Sequence, residues 1–239
     1  MTSKLRARSR VPATAGNRGL ASQPTRPAGI SPGTVGVIAD DLSRYSEFTV
    51  SLTCLALPEQ TQVRFAMGRN IVKNCNRLVE LMTGEWLWFM GDDHVFKPDT
   101  LLRLLMHDAD VVVPLVLQRQ EPFLPVICSG ENEAGLQHTY ALADIPERGL
   151  FEVHSAGTGG MLVRRRVFRA IEPPWFEPAP VVGGHLSEDF SFCKRIREAG
   201  FSIYCDPETQ IGHLSIAAIW PRHIDGRWRA SAEFPTSPS

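Results

Sequence analysis

The segment Glu85–Met90 (EWLWFM) is apolar without a break after its first residue. A strand that presents Trp, Leu, Trp, Phe and Met in succession has no polar face to offer water. It must lie inside a sheet covered on both sides, which calls for helices above and below. The neighbouring segments supply them. Val35–Ala39 is a short apolar run ending at Asp40-Asp41, Glu47–Leu57 reads as a helix stopped before Pro58, and Gln62–Ala66 as a weaker strand. Arg69–Thr83 is the clearest helix, with Ile71, Cys75, Leu78, Val79 and Met82 at helical spacing and Gly84 as its stop. Asp99 caps a further helix carrying Leu101, Leu102, Leu104 and Leu105, and Asp110–Leu117 is the next strand. Alternation of strand and helix predicts an α/β chain with a mostly parallel central sheet flanked by helices.

The second half is patterned differently. Residues 118–160 carry scattered Pro and Gly among short strand-like pieces. Gly160–Val163 is apolar, Ser187–Ala199 reads as a capped helix ending at Gly200, and Phe201–Cys205 as a strand. At 239 residues and 43% hydrophobic, the chain can bury a sizeable core without disulfides. A charged fraction of 21% and a net charge of −1 exclude global disorder. Charge is uneven, however: residues 1–30 hold Lys4, Arg6, Arg8, Arg10, Arg18 and Arg26 and no acid. With no apolar periodicity, 1–30 reads as a disordered basic tail, either solvated or in weak contact with DNA or another anionic surface. No apolar run approaches the roughly 20 residues of a membrane helix. Five scattered cysteines without a CxxC pair fit a reducing, cytoplasmic setting and argue against a cysteine zinc site.

Four pieces carry candidate chemistry. Gly91-Asp92-Asp93-His94 follows the buried strand at its carboxyl end, where open α/β sheets bind ligands. Two carboxylates and an imidazole there suit a divalent cation, or else form a polar turn. Glu188-Asp189 follows Ser187 at a helix start, where acids either favour the dipole or serve as a general base. His213 follows a short strand and becomes a ligand only if the fold brings it beside Asp93. Gly157-Thr158-Gly159-Gly160 is a loop permitting close backbone approach, without the Gly-Lys-Ser/Thr of a P-loop.

Taken in order, these segments resemble a GT-A glycosyltransferase of the family 2-like kind found in bacteria and phages. The match runs over about residues 34–215 through WLWFMGDDHVFKPDTLLRLL, GTGGMLVRRRVF and SEDFSFCKRIREAGFSIYCDPETQIGH. The resemblance implies a GT-A (Rossmann-like) domain over 31–217, its nucleotide-binding half about 31–117 and its acceptor-side half about 118–217. It implies transfer of a hexosyl or pentosyl group from a nucleotide-sugar donor, UDP- or GDP-linked, with Mn²⁺ or Mg²⁺. The acceptor stays open between a glycan, a protein and a modified DNA base. Residues 91–94 look like the Asp-x-Asp metal motif with Gly91 in place of the first Asp. Asp93 and His213 are then metal ligands, and His94 a further one. Asp92 serves ribose or metal, Asp40 or Asp41 the base or ribose, and Arg77 the nucleotide. Gly159 and Gly160 approach sugar or acceptor. Asp189, with Glu188 as the alternative, takes the acceptor proton. Residues 218–239, with Trp220, Arg222, His223, Arg227, Trp228 and Arg229, read as a lid over the diphosphate or as a tail. Two other classes fit the same residues: a non-catalytic sugar- or nucleotide-binding module, and a metal-dependent phosphoester hydrolase or nucleotidyltransferase.

Overall fold

A computed structural model describes residues 29–40, 45–119, 122–182, 184–215 and 218–233. Asp41 and nearly all of the basic tail lie outside the described residues. The first half runs β1 (Thr34–Ala39), α1 (Ser46–Thr53), β2 (Gln62–Met67), α2 (Ile71–Leu81), β3 (Trp86–Gly91), β4 (His94–Val95), α3 (Thr100–Leu105) and β5 (Val111–Leu115). Then follow β6 (Ile127–Glu131), β7 (Gln137–Thr139), β8 (Phe151–Val153), β9 (Ser155–Ala156), β10 (Leu162–Arg164) and α4 (Arg165–Ala170). The chain continues through β11 (Ala179–Val181), β12 (Gly184–Leu186), α5 (Glu188–Glu198), β13 (Ile203–Gln210), β14 (Gly212–Leu214), β15 (Ala218–Ile224) and β16 (Arg227–Glu233).

The central sheet has seven strands in the order β2-β1-β3-β10-β5-β13-β8. Its middle strand behaves as an apolar run must. Trp86, Trp88 and Met90 pack with Phe48 of α1 and Leu101, Leu104 and Leu105 of α3. Leu87 and Phe89 pack on the other face with Cys75 and Leu78 of α2, Phe168 of α4 and Phe192 of α5. The indole N–H groups inside this core are satisfied: Trp86 donates to Ser31 O at 2.8 Å and Trp88 to Gly160 O at 2.8 Å. Helix α2 begins where Asn70 Oδ1 accepts the Lys73 N–H at 2.9 Å. It ends ahead of Gly84, whose φ of 73° favours glycine.

The sheet is mixed rather than mostly parallel, which corrects the sequence expectation. β1 pairs with β2 and β3, and β5 with β13, in parallel. β10 runs antiparallel between β3 and β5, and β8 antiparallel on the edge of β13. The smaller sheets, β11-β12, β7-β6-β9 and β16-β15-β14-β4, are antiparallel throughout, so antiparallel pairing prevails in the molecule. The reason is local. β10 enters from the Gly157–Gly160 loop at the carboxyl edge with no helical crossover before it, so it runs back down the sheet.

The stretch read as a lid or tail is also different. Residues 218–224 and 227–233 form a hairpin that extends the four-stranded sheet. Asp225 and Gly226 turn it with φ of 53° and 73°, the paired positive values of a type I′ turn. Trp228 is buried in the main core and donates to Pro146 O at 3.2 Å. The hairpin is thus structural. No described helix is long and apolar enough to cross a membrane, and all five cysteines are free thiols.

Candidate functional site

The carboxyl ends of β1 and β3 open onto a cleft of about 650 Å³. Asp40, Asp92, Asp93, His94, Gly159, Asp189 and His213 all line it. These residues come from both halves of the chain, and the sheet edge brings them together.

Asp93 is held by imidazoles on two sides. β4 and β14 pair antiparallel with His94 directly opposite His213. The two rings stack with centroids 4.6 Å apart and an interplanar angle of 11°. His94 Nδ1 lies 2.9 Å from Asp93 Oδ1, and His213 Nε2 lies 3.4 Å from Asp93 Oδ2. His213 Nδ1 stands 2.9 Å from Leu117 O. A carbonyl only accepts, so Nδ1 carries the proton and Nε2 faces a carboxylate oxygen. That pairing requires a proton or a cation between them. Burial alone would raise the Asp93 pKa. Hydrogen bonds from His213 and His94, and their charge, outweigh burial and hold the carboxyl well below the usual range.

The cluster fits a divalent cation. Ligand atoms of Asp93, His94 and His213 lie within 4.8 Å of one another. The His213–Leu117 bond is the outer-shell contact that orients metal-binding imidazoles. One carboxylate with two imidazoles suits Mn²⁺ better than Mg²⁺, which favours oxygen. Two glycines keep the cluster open. A Cβ on Gly159 would stand 2.7 Å from His94 Nε2. A Cβ on Gly91 would stand 2.6 Å from Asp93 Oδ1, so glycine at this position is what lets Asp93 fold back onto His94.

The residues expected to meet a nucleotide divide. The Asp40 N–H donates to Asp92 Oδ2 at 3.4 Å, which places both acids at the junction of β1 and β3. Arg77 does not reach the cleft. It pairs with Glu80 at 2.9 Å on the exposed side of α2. The cause is helical phase: Asn74, Cys75, Leu78 and Val79 are the inward positions, and Arg77 points well away from them. Arg69 and Asn74 line the cleft instead. Gly160 is also structural. Its N–H donates to Phe89 O at 2.9 Å, and a Cβ there would meet Pro114 at 2.5 Å.

Asp189 lines the cleft and Glu188 does not. Ser187 sits at the cap position of α5, but its hydroxyl donates to Asp189 Oδ1 instead of accepting a backbone N–H. Asp189 Oδ1 also accepts the Phe190 N–H at 2.8 Å. Oδ2 faces Gly157, where an added Cβ would stand 3.5 Å away. Burial raises the Asp189 pKa against these hydrogen bonds, and burial raises that of Glu188 too. Arg119, like Arg69 and Asn74, is a cleft residue the sequence reading missed: its guanidinium reaches Asp93 Oδ2 at 3.0 Å. Nothing in its local pattern marks it, because the contact depends on how the chain leaves β5.

The molecule therefore has a Rossmann-like mixed α/β fold with an Asp/His group at its carboxyl edge able to hold a metal. Solved structures share that fold. A197 from STIV matches with a TM-score of 0.54 at 13% identity, over 86% of this chain and 98% of its own. GalNAc-T7, solved with UDP, GalNAc and Mn²⁺, matches with a TM-score of 0.54 at 12% identity, over 76% of this chain. The match spans 44% of the GalNAc-T7 chain. No family model and no curated protein matches the sequence.

Proposed function

We propose that the chain is a metal-dependent glycosyltransferase of the GT-A kind, moving a sugar from a nucleotide-sugar donor to an acceptor hydroxyl. The observation that carries this reading is one cleft holding both the Asp93–His94–His213 cluster and the Asp189 carboxylate. The fold shared with GalNAc-T7, solved with UDP and Mn²⁺, supports a nucleotide-sugar and a transition-metal ion. In this reading residues 31–117 form the donor half and the remainder the acceptor half of one domain.

Asp93, His213 and His94 would hold the ion. Bound there, it supplies Lewis-acid neutralisation of the charge that develops on the leaving diphosphate. Asp40 and Asp92 accept hydrogen bonds from the ribose at the ends of β1 and β3. Asp189 supplies the base. Its Oδ1 is fixed by Ser187 and Phe190, so Oδ2 takes the proton of the acceptor hydroxyl. Its raised pKa makes it a better base than an exposed carboxylate.

A panel of UDP- and GDP-sugars, read by thermal shift with and without Mn²⁺, tests the donor. The matching donor raises Tm in the presence of Mn²⁺, since it binds only the native state. Asp189→Asn should keep that shift while turnover falls on the order of 10²–10⁴-fold. A panel with no Mn²⁺-dependent shift rejects the reading. Release of the nucleoside monophosphate and sugar 1-phosphate, with no nucleoside diphosphate formed, favours the phosphoester class instead, since the bond broken is then P–O and not the glycosyl bond.

A further inference from the structure

Arg119 NH1 lies 3.0 Å from Asp93 Oδ2, and His213 Nε2 approaches the same oxygen at 3.4 Å. The other oxygen is taken by His94 at 2.9 Å. Arg119 therefore stands at the oxygen a cation would share with His213. A guanidinium cannot shed its proton to make room, so it must move when a divalent ion arrives. It is able to: its side chain is 41% exposed and lines the same cleft. A planar fork of donors displaced into a cleft is complementary to paired anionic oxygens, above all those of a diphosphate.

We propose that Arg119 is an exchangeable counter-ion. It balances Asp93 until a divalent cation displaces it, and it then engages the phosphate oxygens of the nucleotide. The cation and the diphosphate are thereby coupled, each favouring the other through the same side chain. The inference rests on the cation site read above and adds the residue that links the ion to the nucleotide.

The test is Mn²⁺ titration of the full chain, followed by the electron paramagnetic resonance of free Mn²⁺. It is run with and without UDP, with a UDP-only control for chelation. Arg119→Gln should bind Mn²⁺ alone about tenfold more tightly, the worth of one charge-assisted hydrogen bond removed from competition. UDP should tighten Mn²⁺ binding to the native chain by more than it does in Arg119→Gln. Arg119→Lys keeps the charge and should stay within about threefold of the native Mn²⁺ affinity. Melting curves establish that each variant is folded, and Arg119→Ala reads the same competition if Gln is not tolerated. Native and Gln chains that bind Mn²⁺ equally, or a Lys variant as tight as Gln, overturn the counter-ion while leaving the cation site standing. No Mn²⁺ binding by either chain overturns the cation site and the inference together.

Discussion

A single missing methyl group keeps the cation cluster accessible. Gly159 offers nothing toward His94 Nε2, where an alanine Cβ would stand 2.7 Å away. Gly159→Ala should therefore weaken Mn²⁺ binding strongly and also lower the melting temperature in metal-free buffer, because the buried His94 ring must shift to admit the methyl group. Isothermal titration with Mn²⁺ checks this, and undiminished affinity would show that the ion approaches from another side. Asp189 yields a prediction in pH. Burial raises its folded-state pKa, so the folded chain holds that proton more tightly than the unfolded one does. The stabilisation is present at low pH and lost as pH rises through the raised value. Asp189→Asn stays neutral, so its Tm should gain on the native chain as pH rises from the ordinary carboxylate range through the raised value. Parallel melting curves across that range would contradict the assigned burial. Asp93, His94 and Asp189 stand out in the sequence as polar groups at the end of a buried strand and at a helix start, whereas His213 joined them only through the resemblance; the structure brings all four to one cleft. Arg119, Arg69 and Asn74 do not stand out, since each reaches the cleft through the path or phase of its element. Arg77 was misassigned for the same reason, as the inward stripe of α2 passes it by.

Among the elements, strands and helices of the first half follow directly from apolar periodicity, and β3 is buried on both faces as its composition demands. The C-terminal hairpin escaped because its cations and aromatics suggest a ligand when they are read as a cluster. Read with period two, Ile219, Pro221 and His223 alternate with Trp220, Arg222 and Ile224, and Asp225-Gly226 is a type I′ turn signal between two strands. Trp228 and His223 share the inner face, with ring centroids 5.2 Å apart. Trp228→Ala should cost about 3–5 kcal/mol, the usual range for a buried aromatic. Gly226→Ala should cost about 1–2 kcal/mol, because the turn holds a positive φ. Removing residues 218–239 should lower Tm sharply, in place of the raised Michaelis constant a lid would imply. Urea melts of the three variants decide the matter, and a truncation as stable as the native chain would restore the lid.

At the scale of the whole molecule, two sheets meet at the cleft. The seven-stranded sheet brings Asp40, Asp92 and Asp93 to its edge, and the four-stranded sheet adds His94 and His213 as a cross-strand pair. The mixed sense of the large sheet was hidden from sequence because β10 is only three residues long and its direction depends on where its loop begins. His94 belongs to the first half and His213 to the last strands before the hairpin, yet their register sets them face to face. Pairing of this kind closes a very long loop, at an entropic cost that local pairings do not carry. The imidazole pair therefore ties the two ends of the fold together: a chain that stops short of residue 213 carries Asp93 and His94 without the third member of the cluster.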